Sequence, residues 1–229
     1  YNQQEPRLVV HYASLQQLPT VKGVVDAYKE GDADFHKIVA EMADIPRLQA
    51  KTINLGLFYG MGKAKLQAEL GVSKNKAEEL FQLYHSKVPF VKQLMNAVSN
   101  RAQQRGQIRT LLGRLCRFHL WEPNYFGIHK PLSFDEAIQE HGPGIKRAYT
   151  YKALNKLIQG SAADMTKKSM LELYKIGVIP HIQIHDELDI SVESDKKAKQ
   201  IIEVMESAVA LDIPNKVDYE SGKNWGDIH

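Results

Sequence analysis

Arg47, Lys51, Leu55 and Tyr59 recur at every fourth position. On one helix that spacing makes a slowly drifting stripe about 18 Å long, at 1.5 Å of rise per residue. Two cations come first, then an apolar side chain, then an aromatic. Cations near a helix N-terminus suit a polyphosphate, because the backbone dipoles there also favour anions. The apolar and aromatic end suits a sugar and a base face. Spacing alone favours a plainer account, a helix with solvated basic residues along one edge, since Arg and Lys four apart are common. A second group is Ile184-His185-Asp186-Glu187-Leu188. Adjacent carboxylates at a hairpin tip could bind a divalent metal, because Mg²⁺ takes one or two carboxylates plus substrate phosphates. A charged turn is the commoner origin of such a pattern. Here, however, the acids interrupt two apolar strand segments, which need no His-Asp-Glu between them. A third stretch, Tyr1 to Arg7 with Glu5 inside it, says little alone.

These residues need elements to hold them. The chain has 229 residues, 43% apolar and 25% charged, which is ordinary for a globular protein and excludes disorder throughout. Its apolar runs, such as Ile53 to Tyr59, are too short to cross a bilayer, and no signal-like segment stands at the start. The lone Cys116 excludes an intramolecular disulfide and fits a reducing compartment. A net charge of +3 permits a nucleic-acid partner without demanding one. The chain opens on Tyr1 rather than Met, with an apolar segment at residues 8 to 13, so a preceding segment is expected.

That segment reads as a buried strand or the start of a helix. Residues 18 to 43 read as helices broken near Gly31, with Asp32 or Asp34 capping the second. Pro46 suits the start of an apolar helix over residues 47 to 59, stopped by Gly60 and Gly62. Ser73 begins another helix, and Pro89 one more, to about Arg105. Residues 107 to 120 suggest a hairpin-like pair around Leu112-Gly113. Three Pro and three Gly over residues 121 to 145 suggest a long irregular loop. A long helix is expected from Ile145 to Ile176, a hairpin over residues 181 to 192, an amphipathic helix over 195 to 210 and a short strand near Val217 to Tyr219. The order does not alternate as a parallel βαβ fold would. It implies an α+β fold with a helical insertion inside an antiparallel-sheet domain.

Arg47-Leu-Gln-Ala-Lys51-Thr-Ile-Asn-Leu55-Gly56-Leu-Phe-Tyr59-Gly60 resembles the fingers-helix motif of the A-family DNA polymerases, the group of bacterial DNA polymerase I and many phage replicases. His185-Asp186-Glu187 resembles their second palm motif. Tyr1-Asn2-Gln3-Gln4-Glu5-Pro6-Arg7 resembles their first, beginning one residue after its metal-binding Asp. Gln159 to Asp164 resembles the helix of the palm, and the tail through Trp225 matches as well. The resemblance covers essentially the whole chain, in the family's order. It implies an antiparallel-sheet palm with a mostly helical fingers insertion: palm at 1–20, fingers at 21–105, and palm again at 106–229 with a loop insertion near 121–145.

The resemblance also implies roles. Asp186, with Glu187 beside it and the main-chain carbonyl of Tyr1, would hold two Mg²⁺ ions. Gln3 and Glu5 would line the nucleotide site, Glu5 as the gate against a ribose 2′-hydroxyl. His36, Arg47 and Lys51 would hold the triphosphate, and Lys51 would assist the departing pyrophosphate. Leu55 and Tyr59 would complete the nucleotide site. Arg109, Arg114, Asn155, Gln159 and His185 would contact primer or template. The reaction would add deoxynucleoside monophosphates to a primer 3′-end, with primer-template DNA and dNTPs as partners, in the cytoplasm of a bacterial or phage-infected cell. A further catalytic Asp and a thumb would come from an upstream piece, without which the chain would not extend primers. Three departures stand out. Leu55 occupies a position usually held by Phe or Tyr, which bears on dideoxynucleotides. Tyr151 stands where an Arg is common. Residues 121 to 145 look inserted relative to bacterial members. Two other readings use the same residues: a portion of a single-subunit RNA polymerase, which Glu5 argues against, and a DNA-binding accessory module without catalysis, which Asp186, Lys51 and Arg47 argue against.

Overall fold

The run Leu8-Val9-Val10 and Ala13 are fully buried on one helix, so the first apolar segment is helix rather than strand. The computed structural model describes residues 1–31, 33–58, 61–125 and 127–227. Helix α1 (Gln4–Leu15) is followed by α2 (Val21–Glu30), α3 (Phe35–Ala43) and α4 (Arg47–Phe58). Asp34 caps α3, its side chain accepting from the amides of His36 and Lys37. Asp32, the other candidate cap, lies outside the described residues, as do Tyr59 and Gly60.

Helix α5 (Lys63–Leu70) was absent from the sequence expectation. It starts beside Gly62 and ends at Gly71, which takes the left-handed conformation that closes a helix. Ser73 caps α6 (Lys74–Lys87), and Pro89 opens α7 (Pro89–Arg105), both as expected. Among the described residues the larger of two apolar clusters runs from α1 through α7 and on into the long helix α9 (Ala153–Lys175). α9 packs against α1, α7 and α10 (Asp195–Ser207) and forms the spine of the second half.

Among the described residues the strands form three separate antiparallel pairs. β1 (Gln107–Arg109) pairs with β2 (Leu115–Arg117), β3 (Trp121–Pro123) with β4 (Ile145–Arg147), and β5 (Ile182–Ile184) with β6 (Glu187–Asp189). With the many helices they make the α+β class that the element order implied.

Three expectations need correction. Residues 121 to 145 are not an irregular loop: β3 and β4 close the excursion, and α8 (Phe134–His141) lies between them. Its start carries a reciprocal capping box, the Ser133 hydroxyl with the Glu136 amide and the Glu136 carboxylate with the Ser133 amide. The long helix begins at Ala153 rather than Ile145. Residues 145 to 147 are drawn into the strand pair, and Tyr149 adopts a left-handed φ of 61° before a 3-10 turn (Thr150–Lys152). Val217 to Tyr219 form no strand: the tail is held by the Asn2 amide donating to the Lys216 carbonyl (2.8 Å) and the Val217 amide donating to the Glu206 carboxylate (2.9 Å). Among the described residues no helix is long and apolar enough to cross a membrane.

Candidate functional site

Arg47 is the first residue of α4, and its guanidinium faces back to the cap of α3. Its Nε and Nη2 donate to Asp34 Oδ2 at 2.7 and 2.6 Å, while Asp34 Oδ1 accepts from the His36 and Lys37 amides at 2.8 and 3.2 Å. One carboxylate therefore starts α3 and aims the cation at the N-terminus of α4. Burial pushes the Asp34 carboxyl upward, but the bonds from Arg47 and the two amides outweigh it and leave the group below its ordinary value. The Arg47 side chain remains 55% exposed, open to a further anion. Lys51 is exposed one turn later, and Leu55 is half-buried against the core. Tyr59, the fourth member of the stripe, lies outside the described residues.

His36 sits under these cations and is only 6% exposed. Its Nδ1 lies 3.0 Å from Asn54 Nδ2 on α4, and the Asn54 carbonyl accepts from the Tyr84 hydroxyl of α6 at 2.7 Å. Burial lowers the imidazole pKa; Asp34 opposes this, and Arg47 and Lys51 add to it. His36 is thus neutral at physiological pH. The sequence places Tyr84 only on the apolar face of its helix and gives neither it nor Asn54 a role in the site. The available signal was a lone amide within the apolar run Ile53 to Phe58.

The segment that enters α1 ties this region to the hairpin. Gln3 has a left-handed φ of 50°. Its side-chain Oε1 accepts from the Phe35 amide (2.8 Å) and the Tyr28 hydroxyl (3.2 Å), and its Nε2 donates to the Ala33 carbonyl (3.3 Å). Two residues earlier, the Tyr1 nitrogen donates to the Asp186 carbonyl at 2.9 Å and lies 4.0 Å from its carboxylate. The Tyr1 phenol bonds with Ser169 and donates to the Met205 carbonyl (2.7 Å), anchoring it to α9 and α10. Glu5 lies half-buried in the first turn of α1.

Asp186 occupies the two-residue turn between β5 and β6, and Glu187 opens β6 opposite Ile184. His185 takes a φ of 51°, the positive value that tight hairpin turns demand and His tolerates better than most residues. This turn pushes the Asp186 carboxylate outward, 39% exposed. A cleft of about 670 Å³ opens beside it, lined by Tyr1, Asp186, Glu187, Met205, Tyr219 and Trp225. Among the described residues there is no cluster of three or more His, Cys, Asp or Glu side chains able to hold a metal. The oxygen donors brought together at this tip are the Asp186 and Glu187 carboxylates.

The expected DNA-facing residues lie on two elements and the hairpin tip. Asn155 and Gln159 are four apart on α9, away from buried Leu154, Leu157 and Ile158. Arg109 is exposed on β1 and donates to the Gly113 carbonyl at 2.9 Å. Arg114 is more committed: it donates to Asp164 Oδ1 (3.0 Å) and the Gly160 carbonyl (2.6 Å), fastening the β1–β2 hairpin to α9. His185 is exposed at the tip. Among the described residues no hydrogen bond joins these five side chains to one another.

Residues 1–227 match the family model for DNA polymerase family A. The chain is 34% identical over 268 residues to a DNA-directed DNA polymerase of Pseudomonas phage M6, covering 99% of this chain and 37% of the phage protein. It is 31% identical over 238 residues to DNA polymerase I of Geobacillus stearothermophilus, covering 99% of this chain and 25% of that one. Among solved structures, the POL domain of Pol1 from M. smegmatis, in complex with DNA primer-template and dNTP, superposes with a TM-score of 0.70 and 26% identity. That match covers 93% of this chain and 37% of the mycobacterial one. The chain therefore spans between a quarter and two fifths of the length of these relatives.

Proposed function

The chain belongs to DNA polymerase family A, and from that membership we propose that it forms the fingers (21–105) and the flanking palm portions (1–20 and 106–229) of an enzyme that extends a DNA primer with dNTPs. The observation that carries this reading is the tie made by three consecutive residues. Tyr1 bonds the Asp186 turn, and Gln3 bonds the start of α3, next to His36 and the Asp34–Arg47 pair. Three residues span at most about 10 Å. This short tie supports reading the carboxylate tip and the cationic helix starts as one site, with acid at one end and phosphate-binding groups at the other.

Family A polymerases generally use divalent metal ions. The donor set here fits Mg²⁺ in kind, hard carboxylate oxygens at a solvent-facing turn, and Mg²⁺ needs one or two of them beside substrate phosphates. Asp186 would hold two such ions with Glu187 and the Tyr1 carbonyl, and a further Asp and the thumb would come from a part of the enzyme outside these 229 residues. Bound there, the ions would supply charge stabilisation at the attacking and leaving oxygens. The chain's own groups do the rest. Arg47, Lys51 and His36 hold the triphosphate, so that the bond to the α-phosphorus forms from the primer 3′-oxygen as the bond to the pyrophosphate oxygen breaks. Lys51 neutralises the pyrophosphate as it leaves. Glu5 closes the site to a 2′-hydroxyl, while Arg109, Arg114, Asn155, Gln159 and His185 hold the duplex, largely through its backbone. The bacterial and phage origin of the relatives supports action in the cytoplasm of a bacterial or phage-infected cell.

Asp186→Ala in the full-length protein tests this. Single-turnover dNTP incorporation should fall by about a hundred- to a thousandfold, the scale of losing a charge-stabilising group. Primer-template affinity should stay within about twofold, because it rests on spread phosphate contacts. Parallel loss of binding and turnover would make Asp186 a structural residue and remove the proposed site.

A further inference from the structure

We propose that Asn54 and Tyr84 are positioning residues that lock His36 in its Nε2–H tautomer, turning a neutral imidazole into a hydrogen-bond donor toward the nucleotide's phosphates. The phosphate half of this inference rests on the assignment of His36 to the triphosphate made above. Tyr84 is fully buried, and so is Asn54. The phenol O–H donates to the Asn54 carbonyl at 2.7 Å. Among the described residues that hydroxyl meets no other acceptor, so the reverse arrangement would strand a buried proton. The amide is therefore oriented with its NH₂ end toward His36 Nδ1, at 3.0 Å. An NH₂ group only donates, so Nδ1 must present its lone pair. A neutral ring that accepts at Nδ1 carries its proton on Nε2.

The consequence concerns the ligand. Phosphate oxygens only accept. An imidazole with a lone pair at Nε2 would repel them, and one with Nε2–H binds them. Burial disfavours a charge on His36; Asp34 opposes this, and Arg47 and Lys51 add to it. The relay obtains donation without that charge. It also explains why an amide and a phenol are buried at the junction of α4 and α6, where apolar side chains would pack without any hydrogen-bonding requirement.

Imidazole ¹⁵N spectra of the full-length protein, with His36 assigned by its loss in His36→Gln, test the lock directly. The wild type should show an unprotonated Nδ1 and a protonated Nε2. Asn54→Asp, the isosteric acceptor, should move the proton to Nδ1. It should weaken dATP binding to a primer-template complex with templating dT by about tenfold, the scale of one hydrogen bond to a charged group, and leave primer-template affinity unchanged. Tyr84→Phe, which frees the amide to rotate, should give a mixture of tautomers. A wild-type Nδ1–H ring, or an unshifted proton in Asn54→Asp, overturns the lock. The wild-type spectrum decides the assignment even if a variant fails to fold. If the tautomers behave as expected but His36→Gln binds dATP as the wild type does, the assignment of His36 to the triphosphate falls, and the functional half of the proposal with it.

Discussion

Leu55 follows Lys51 by one turn and is half-buried against the core, so it sits at the border between the exposed cations of α4 and the packed interior. A dideoxynucleotide lacks the 3′-hydroxyl that can bond to its own triphosphate. A phenol at this helix position can stand in for that group, whereas leucine has neither donor nor acceptor. The missing bond is worth about 0.5–1.5 kcal/mol, and about 1.4 kcal/mol is tenfold in rate. On the proposed function, the enzyme should therefore disfavour dideoxynucleotides by up to about tenfold, and Leu55→Tyr should relax the bias. The ratio of dideoxy to deoxy incorporation in both variants is the measurement. If Leu55 belongs wholly to the core, tyrosine overpacks it, all nucleotides slow together and the ratio stays put.

At the scale of the element, the start of α3 determines where Arg47 points. Asp34→Asn keeps an equally good cap but removes the carboxylate that holds the guanidinium. An ion pair this exposed is worth about 0.2–1 kcal/mol, so the loss of stability at pH 7 should be of that size. The Asp34 pKa is lowered on folding, so the unfolded chain binds its proton more readily. The stabilisation is present above the ordinary value of 3.8 and disappears as pH falls through the lower folded value. Melting curves of wild type and Asp34→Asn should converge in acid; a gap that widens there contradicts the assignment. In the 121–147 excursion, Ser133→Ala removes half of the capping box and should cost about 1 kcal/mol locally. Faster amide exchange in α8, with α9 unchanged, is the expected result, and uniform exchange throughout the excursion in the wild type would mean that α8 is not a stable helix.

Across the whole molecule, the β1–β2 hairpin and α9 meet at Gly160. A Cβ there would lie 2.7 Å from the Thr110 γ-methyl and 3.6 Å from Arg114 Nη2. Alanine is the better helix former by about 1 kcal/mol, but overpacking at a tight contact costs about 1–3 kcal/mol. Gly160→Ala should therefore lower the stability of the full-length protein by up to about 2 kcal/mol. Thr110→Ser removes the offending methyl and should rescue it. Additive losses in the double variant, measured by denaturant unfolding, would show that the clash is not the cause.

Local chemistry made much of this protein legible from its sequence. Pro46, Ser73 and Pro89 mark helix starts because missing or capped amides belong there, and Gly106 marks an end because it takes a left-handed φ of 67°. The hairpin bearing Asp186 is visible as apolar alternation broken by acids. The stripe from Arg47 is visible as far as its spacing, and the roles expected of it come from the family resemblance alone. Three features came only with the tertiary structure. Proline and glycine suggested an irregular stretch over 121–145, yet strand pairing between Trp121–Pro123 and Ile145–Arg147 organises it and takes the first residues of the expected long helix. Asn54 and Tyr84 look like an incidental amide and a core aromatic until α4 and α6 bring them together under His36. Gln3 carries no evident signal as a tie, because its partners, Tyr28, Ala33 and Phe35, lie twenty-five or more residues away. Caps, breakers and periodicity are properties of neighbours along the chain and can be read from it. Which buried donor meets which acceptor depends on how the helices pack, and only the folded chain decides that.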